Sequence, residues 1–64
     1  MPVLTLTMDR VAALGVSHDE LMQSTLGEDS KRRLEPMLAS RGFDLTRTVH
    51  IVVLASGEDI VLTQ

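Results

Sequence analysis

The sequence predicts a small α+β protein with a β-α-β-β element order, in which two or three short helices pack on one face of a three-stranded sheet. Three observations support this class. An alternating apolar run comes first, an amphipathic stretch punctuated by glycine and proline follows, and two strand-like runs separated by a polar turn come last. Because the chain has 64 residues, we predict a single small domain over residues 1–64.

The composition narrows the chemistry of this domain. The chain has no cysteine and only two histidines, so it offers neither a disulfide framework nor a thiolate zinc site. We therefore predict no metal and no cofactor. The single Phe, with no Tyr and no Trp, leaves a core built from aliphatic side chains. A short chain with such a core is commonly stabilised by oligomerisation.

Charge and hydropathy also restrict the partners. The net charge of −3 provides no global attraction to nucleic acid, so we expect nucleic acid not to be the partner. The first residues have no basic leader and no long apolar segment, which predicts neither a signal peptide nor a membrane span. We expect a cytoplasmic protein that does not contact a membrane.

The first strand is predicted at residues 3–7, where Leu4 and Leu6 alternate with Thr5 and Thr7. A short helical run from Arg10 to Leu14 should follow. Gly15 then stands where a helix commonly ends in the left-handed conformation.

A second helix is predicted to begin at His18. Ser17 and Glu20 form a capping box, in which the Ser17 hydroxyl accepts from the Glu20 amide and the Glu20 carboxylate reaches back to the Ser17 amide. The apolar stripe of this helix consists of Leu21, Met22, Thr25 and Leu26. Gly27 is its candidate end.

A further helical segment is predicted from residue 29 or 30 to residue 41, with Gly42 after its end. Pro36 interrupts it, because proline inside a helix removes one hydrogen bond and crowds the preceding turn. We predict a kink or break there, with a new helix starting near Glu35. The inward side chains are expected to be Leu34, Met37, Leu38 and Phe43.

Residues 48–63 are predicted to form a hairpin whose turn is set by Gly57. Alternation places Val49, Ile51 and Val53 on one face of the first of its strands. It places His50, Val52 and Leu54 on the other face, so both faces are largely apolar.

The helices can cover only one face of such a sheet. The second face should carry Val52, Leu54 and Val61, and we predict that these residues form an oligomer interface. The expected function is that of a small non-enzymatic binding or regulatory module that self-associates through its sheet. A homo-oligomer, with a dimer favoured, is the expected state, and another protein is the alternative partner.

Several polar clusters contain residue types that occur in catalytic, metal or phosphate sites. Ser17, His18 and Asp19 are the residue types of a catalytic triad, but adjacent residues at a helix start point in different directions. His50 in a strand, Glu58 and Asp59 in a turn, and the basic run at residues 31–33 each fit an ordinary structural or solvated role better than a metal or phosphate site.

Residues 11–17 together with Leu21 resemble the turn of a helix-turn-helix, with Gly15 in the turn. That resemblance implies DNA reading by the second helix, which would present Asp19 and Glu20 toward phosphates. An ordinary helix corner requires the same residues.

Residues 42–62 are similar to the strand-hairpin half of swapped-hairpin transcription regulators and antitoxins, through residues 49–53 and 60–62. This resemblance implies a dimeric DNA-binding regulator whose basic residues lie in its N-terminal half. Here that half is rich in acidic residues, and Arg10 is its only base before Lys31.

Residues 1–6 and 45–53 resemble strands of the small tautomerases. The resemblance implies an enzyme in which Pro2, freed by removal of Met1, acts as general base while an arginine such as Arg10, Arg41 or Arg47 holds a substrate carboxylate. The glycines and the proline that interrupt the helical part depart from that family's pattern, as does the lack of a later glycine-rich hairpin.

Overall fold

A computed structural model of the chain describes residues 1–64 and contains three strands and four short helices. In chain order they are β1 (Val3–Thr7), α1 (Met8–Ala13), α2 (His18–Leu21), α3 (Glu28–Arg33), α4 (Glu35–Ser40), β2 (His50–Val53) and β3 (Asp59–Thr63). The predicted α+β class, the β-α-β-β order and the broken helical segment are confirmed.

The three strands form one antiparallel sheet in the order β1-β3-β2. The central strand β3 pairs with β1 through Leu62 opposite Leu4, and with β2 through Leu62 opposite Ile51. The five residues between β2 and β3 form the predicted hairpin loop, in which Gly57 has φ of +74°. This register places the leucine and isoleucine side chains of all three strands on one face.

The ends of the short helices follow local sequence signals. The Thr7 hydroxyl accepts from the Arg10 amide at 3.1 Å, so α1 begins at Met8, slightly earlier than the sequence pattern indicates. The Ser17 hydroxyl accepts from the Glu20 amide at 3.2 Å and begins α2 as predicted. Gly15 and Gly42 follow helices in the predicted left-handed conformation, with φ of +92° and +82°.

The break at Pro36 is also confirmed. α3 ends and α4 begins at Leu34, whose φ of −99° and ψ of 4° depart from helical values. Pro36 lies in the first turn of α4, where its missing amide has no intrahelical partner to lose.

The predicted extension of the second helix to Leu26 is wrong. α2 ends at Leu21, and the chain from residue 24 to 26 instead runs along the outer edge of β2. There the Ile51 amide donates to the Ser24 carbonyl at 2.9 Å, and the Leu26 amide donates to the Val49 carbonyl at 3.0 Å. These strand-like bonds compete with the helix and end it early.

The Glu20 carboxylate does not complete the predicted capping box. It accepts instead from the Gly27 amide at 3.2 Å and from the Ser30 hydroxyl, and so caps the start of α3. A Cβ atom at residue 27 would lie 2.7 Å from the Glu20 Oε1 atom, so a side chain there would displace the Glu20 carboxylate. The sequence pattern starts this helix at residue 29 or 30, whereas the structure starts it at Glu28, next to a carboxylate from the preceding helix.

The core lies between the helices and one face of the sheet. Its 13 buried hydrophobic residues come from every helix or an adjoining loop and from all three strands. They are Leu4, Leu6, Val11, Val16, Leu21, Leu26, Leu34, Leu38, Phe43, Val49, Ile51, Ile60 and Leu62. Of the side chains predicted to pack inward from the last helical segment, Met37 alone is half-buried rather than buried.

Lys31 is a second difference from the sequence prediction, which placed residues 31–33 on a solvated helix face. Only 7% of Lys31 is exposed. Its Nζ atom donates to the Arg47 carbonyl at 2.8 Å and lies 3.4 Å from the Glu28 carboxylate, so the buried ammonium has two polar partners. None of the helices has both the length and the apolar character needed to cross a membrane.

Candidate interaction surface

The face of the sheet turned away from the helices, here called the outer face, consists of cross-strand rows. One row contains Thr5, Val61 and Val52, each directly opposite its neighbour across the three strands. A second row contains Val3, Thr63 and His50. Cross-strand neighbours on one face lie about 4.5–5.5 Å apart between Cβ atoms, so these side chains form a continuous surface.

Apolar side chains are exposed on this outer face. Val52 is 51% exposed, Val3 is 49% exposed and Leu54, which follows β2, is 39% exposed. Val61 on the central strand is half-buried. The other exposed large hydrophobic residues, Met1 and Met22, do not belong to the sheet. Three of the five exposed large hydrophobic residues of the chain therefore lie on the outer face or continue it.

The three residues predicted to form the interface are brought together here. Val52 and Val61 are direct partners in the β2–β3 register. Leu54 lies two residues after Val52, just beyond the end of β2, and follows the same alternating pattern. Sequence reasoning missed Val3. Alternation along β1 places Val3 on the same face as Thr5 and Thr7, so the sequence does contain this information. The two threonines make that face of the strand look polar.

A polar loop between α4 and β2 borders the sheet. The Asp44 carboxylate accepts from the Thr46 hydroxyl at 2.6 Å and from the Thr46 amide at 2.9 Å. These two hydrogen bonds, the hydroxyl one foremost, hold the pKa of Asp44 below its ordinary value. The Asp44 amide donates to the Gln64 Oε1 atom at 2.7 Å, and this bond ties the loop to the residue after β3.

The residues named for tautomerase chemistry lie in different places. Pro2 precedes β1 and Arg10 follows it, so a five-residue strand of about 17 Å separates their positions. Arg47 lies in the loop before β2, where its carbonyl accepts from Lys31. Neither Pro2 nor Arg47 lines any of the three surface pockets. The structure thus does not bring the three residues into one cavity.

The other polar candidates are dispersed in the same way. The Ser17 hydroxyl caps α2, and the Glu20 carboxylate is bonded to α3. His50 is exposed on the outer face, where its backbone forms an isolated bridge with Thr25. No group of three or more histidine, aspartate or glutamate side chains is arranged to hold a metal ion.

The elements that resemble DNA-binding motifs are short, buried or paired within the chain. The second helix of the helix-turn-helix-like segment, α2, has four residues. In the basic run, Arg32 pairs with Asp29 while Lys31 is buried. The C-terminal hairpin pairs with β1 of its own chain.

Comparisons with protein-family models, with curated proteins and with solved structures find no match to this chain.

Proposed function

We propose that this protein is a non-enzymatic interaction module that forms a homodimer through the outer face of its sheet. The observation that carries the proposal is the cluster of Val3, Val52, Leu54 and Val61 on one side of a rigid three-stranded sheet. Contiguous apolar patches on ordered elements are typical of protein–protein contacts.

Burial of this cluster supplies the driving force. Each valine or leucine that moves from exposed to fully buried contributes roughly 1.5–3 kcal/mol before the costs of association. Val52 and Val3 begin about half exposed, so each contributes less than that full amount. A two-fold axis doubles the number of buried side chains, because each copy presents the same patch.

The size of the face sets the expected strength. Three strands about 4.8 Å apart, with five residues rising about 3.4 Å each, give a face of about 14 by 17 Å. Stable complexes bury about 800 Å² on each partner, which is about a fifth of the 4056 Å² surface of this chain. The face of about 240 Å² is well below that area, so we expect a weak, concentration-dependent dimer in which the two sheets pack about 10 Å apart.

The test is a sedimentation-velocity series over micromolar concentrations on the wild type and on Val52→Glu. A glutamate at this position would bury a charge in the interface, so we expect the variant to remain monomeric where the wild type is dimeric. Met22→Glu is the matched control, since Met22 is 66% exposed and lies outside the sheet.

Two outcomes would contradict the proposal. One is a wild type that stays monomeric at every concentration, and the other is a Val52→Glu dimer as strong as that of Met22→Glu. If the wild type is monomeric alone but its outer-face methyl groups become protected when a second protein is added, the patch serves a different protein and the homodimer is wrong.

A further inference from the structure

The two outer edges of the sheet differ in a way that identifies a second surface. β3 is central, so β1 and β2 each have one edge that no strand of the sheet covers. At the edge of β2, residues 24–26 provide the missing partner through the bonds to Val49 and Ile51. That edge is covered at Val49 and Ile51.

The edge of β1 has no such cover. The Met8 amide donates to the Glu58 carbonyl at 2.8 Å, and this bond fixes which residues face β3. Because antiparallel bonding alternates, Leu4 and Leu6 bond to β3 while the amide and carbonyl groups of Val3 and Thr5 point away from it. No backbone hydrogen bond from outside the sheet reaches Val3 or Thr5. These groups form a template for one more strand.

A groove of about 400 Å³ runs along this edge, between β1 and α4. Its lining includes residues 4–7 of β1 and the side chains of Arg10, Met37, Ser40 and Arg41. No carboxylate lines it. Arg10 and Arg41 are exposed and take part in no ion pair, since the two salt bridges of the chain involve Lys31 and Arg32. The Nη2 atom of Arg10 lies 4.0 Å from the Met37 sulfur.

We propose that the free edge of β1 binds an extended acidic peptide as an added strand. Backbone hydrogen bonds to Val3 and Thr5 would align the peptide, and alternate side chains would lie over the groove. Arg10 and Arg41 select carboxylates, because a guanidinium group binds a carboxylate through paired hydrogen bonds. Between the two carboxylates, Met37 provides an apolar contact that suits an aliphatic peptide side chain.

Charge favours such a peptide over a second copy of this chain. Pairing of β1 with β1 of another copy would bring four arginines to a shared seam whose groove walls carry no carboxylate. Like charges placed together across an interface oppose association. The peptide would use the backbone groups of Val3 and Thr5, whereas the homodimer would use side chains of the outer face, so peptide binding does not require the proposed homodimer.

The backbone part of the proposal can be tested with chemically modified peptides. The probe is a blocked peptide of sequence SETLTES, compared with SKTLTKS, by isothermal titration at low salt. Two further forms of the acidic probe have N-methylated backbone amides. In one form the methyl groups are at the odd positions, and in the other they are at the even positions. An added strand directs only alternate amides toward β1, so one methylated form should lose binding and the other should keep it. Binding of both forms, loss of both, or equal binding of SKTLTKS would overturn the proposal.

The charge part is tested with protein variants. We expect Arg10→Gln and Arg41→Gln each to weaken binding of SETLTES by about fivefold, the upper range for exposed ion pairs. Arg32→Gln is the matched control and should bind as the wild type does. Equal affinity of all three variants, or no binding by the wild type, would refute the proposal.

A further variant distinguishes the backbone edge of β1 from the side chains of the outer face. Thr5→Pro removes an amide that points away from β3, so the sheet keeps its own hydrogen bonds, as proline on edge strands permits. It should abolish peptide binding, whereas Val52→Glu should retain it. Sedimentation of the same samples distinguishes the two surfaces: loss of the dimer in Thr5→Pro but not in Val52→Glu would show that a second copy occupies the edge, and the peptide proposal would be wrong.

Discussion

The two faces of the sheet have different compositions and opposite environments, because the inner face is aliphatic while the outer face mixes valines with Thr5, Thr63 and His50. On β3, Ile60 and Leu62 point toward the helices and are fully buried, while Val61 between them points outward and is half-buried. On β2, Ile51 is buried and its neighbour Val52 is 51% exposed. The inner face is covered within the chain, and the outer face is not.

This difference separates folding from association. Side chains on the inner face contribute to the free energy of unfolding of each copy, because the helices already cover them. Side chains on the outer face contribute mainly when a second molecule covers them. Substitutions on the two faces should therefore affect different measurements.

The largest expected effect is on the inner face. Ile60→Ala should lower the free energy of unfolding by about 2–5 kcal/mol, because it opens a cavity at a fully buried position of the central strand. Val61→Ala, at the next position, should lower the free energy of unfolding of the monomer by less than about 1 kcal/mol, which is the range of strand propensities. Urea denaturation of both variants, in the Val52→Glu background to keep them monomeric, measures the difference. Equal losses would contradict the assignment of the two faces.

The next effect concerns the helices that cover the inner face. Glu20→Ala removes the acceptor for the Gly27 amide and for the Ser30 hydroxyl, and Ser30 is buried. We expect a loss of about 1–3 kcal/mol in the free energy of unfolding, the cost of leaving buried polar groups unpaired. Asp19→Ala, at an exposed position of the same helix with no side-chain hydrogen bond, is the control. A loss no larger than that of the control would show that Glu20 does not hold α3.

The smallest effect is expected at the loop beside the sheet. The folded state lowers the pKa of Asp44, so its contribution to stability is complete above the ordinary aspartate pKa and is lost as the pH falls through the lowered value. Thr46→Val removes the hydroxyl donor and should raise the pKa of Asp44. The stability difference between wild type and variant should then shrink below about pH 4.

This pH dependence can be followed by NMR titration of the Asp44 side chain together with denaturation at several pH values. Thr48→Val is the matched control, because Thr48 is exposed and its side chain forms no hydrogen bond. An unchanged Asp44 titration in Thr46→Val would contradict the role given to the Thr46 hydroxyl.

Local patterns in the sequence predicted much of this structure. The Ser17 cap, the break at Pro36 and the turn at Gly57 each depend on residues within a few positions, so the sequence is sufficient to find them. Period-two alternation likewise assigned Ile51 inward and Val52 outward, which their burial bears out.

The differences arise from contacts between residues far apart in the chain. Residues 24–26 leave the helical pattern because β2 provides backbone partners for them. Glu20 leaves its capping box because Gly27 and Ser30 come within reach, and Lys31 can be buried because its ammonium group donates a hydrogen bond to the Arg47 carbonyl. No periodicity in the sequence encodes these approaches. The arginine-lined groove has the same origin, since β1 and α4 meet only in the folded chain.

The most direct test of outer-face self-association is an isotope-filtered NOE experiment on a mixture of labelled and unlabelled protein. We predict intermolecular NOEs to the methyl groups of Val52, Leu54 and Val61, with none to the buried methyl groups of Ile51 and Ile60. Intermolecular NOEs confined to other residues, or a monomeric tumbling time with none at all, would contradict the account.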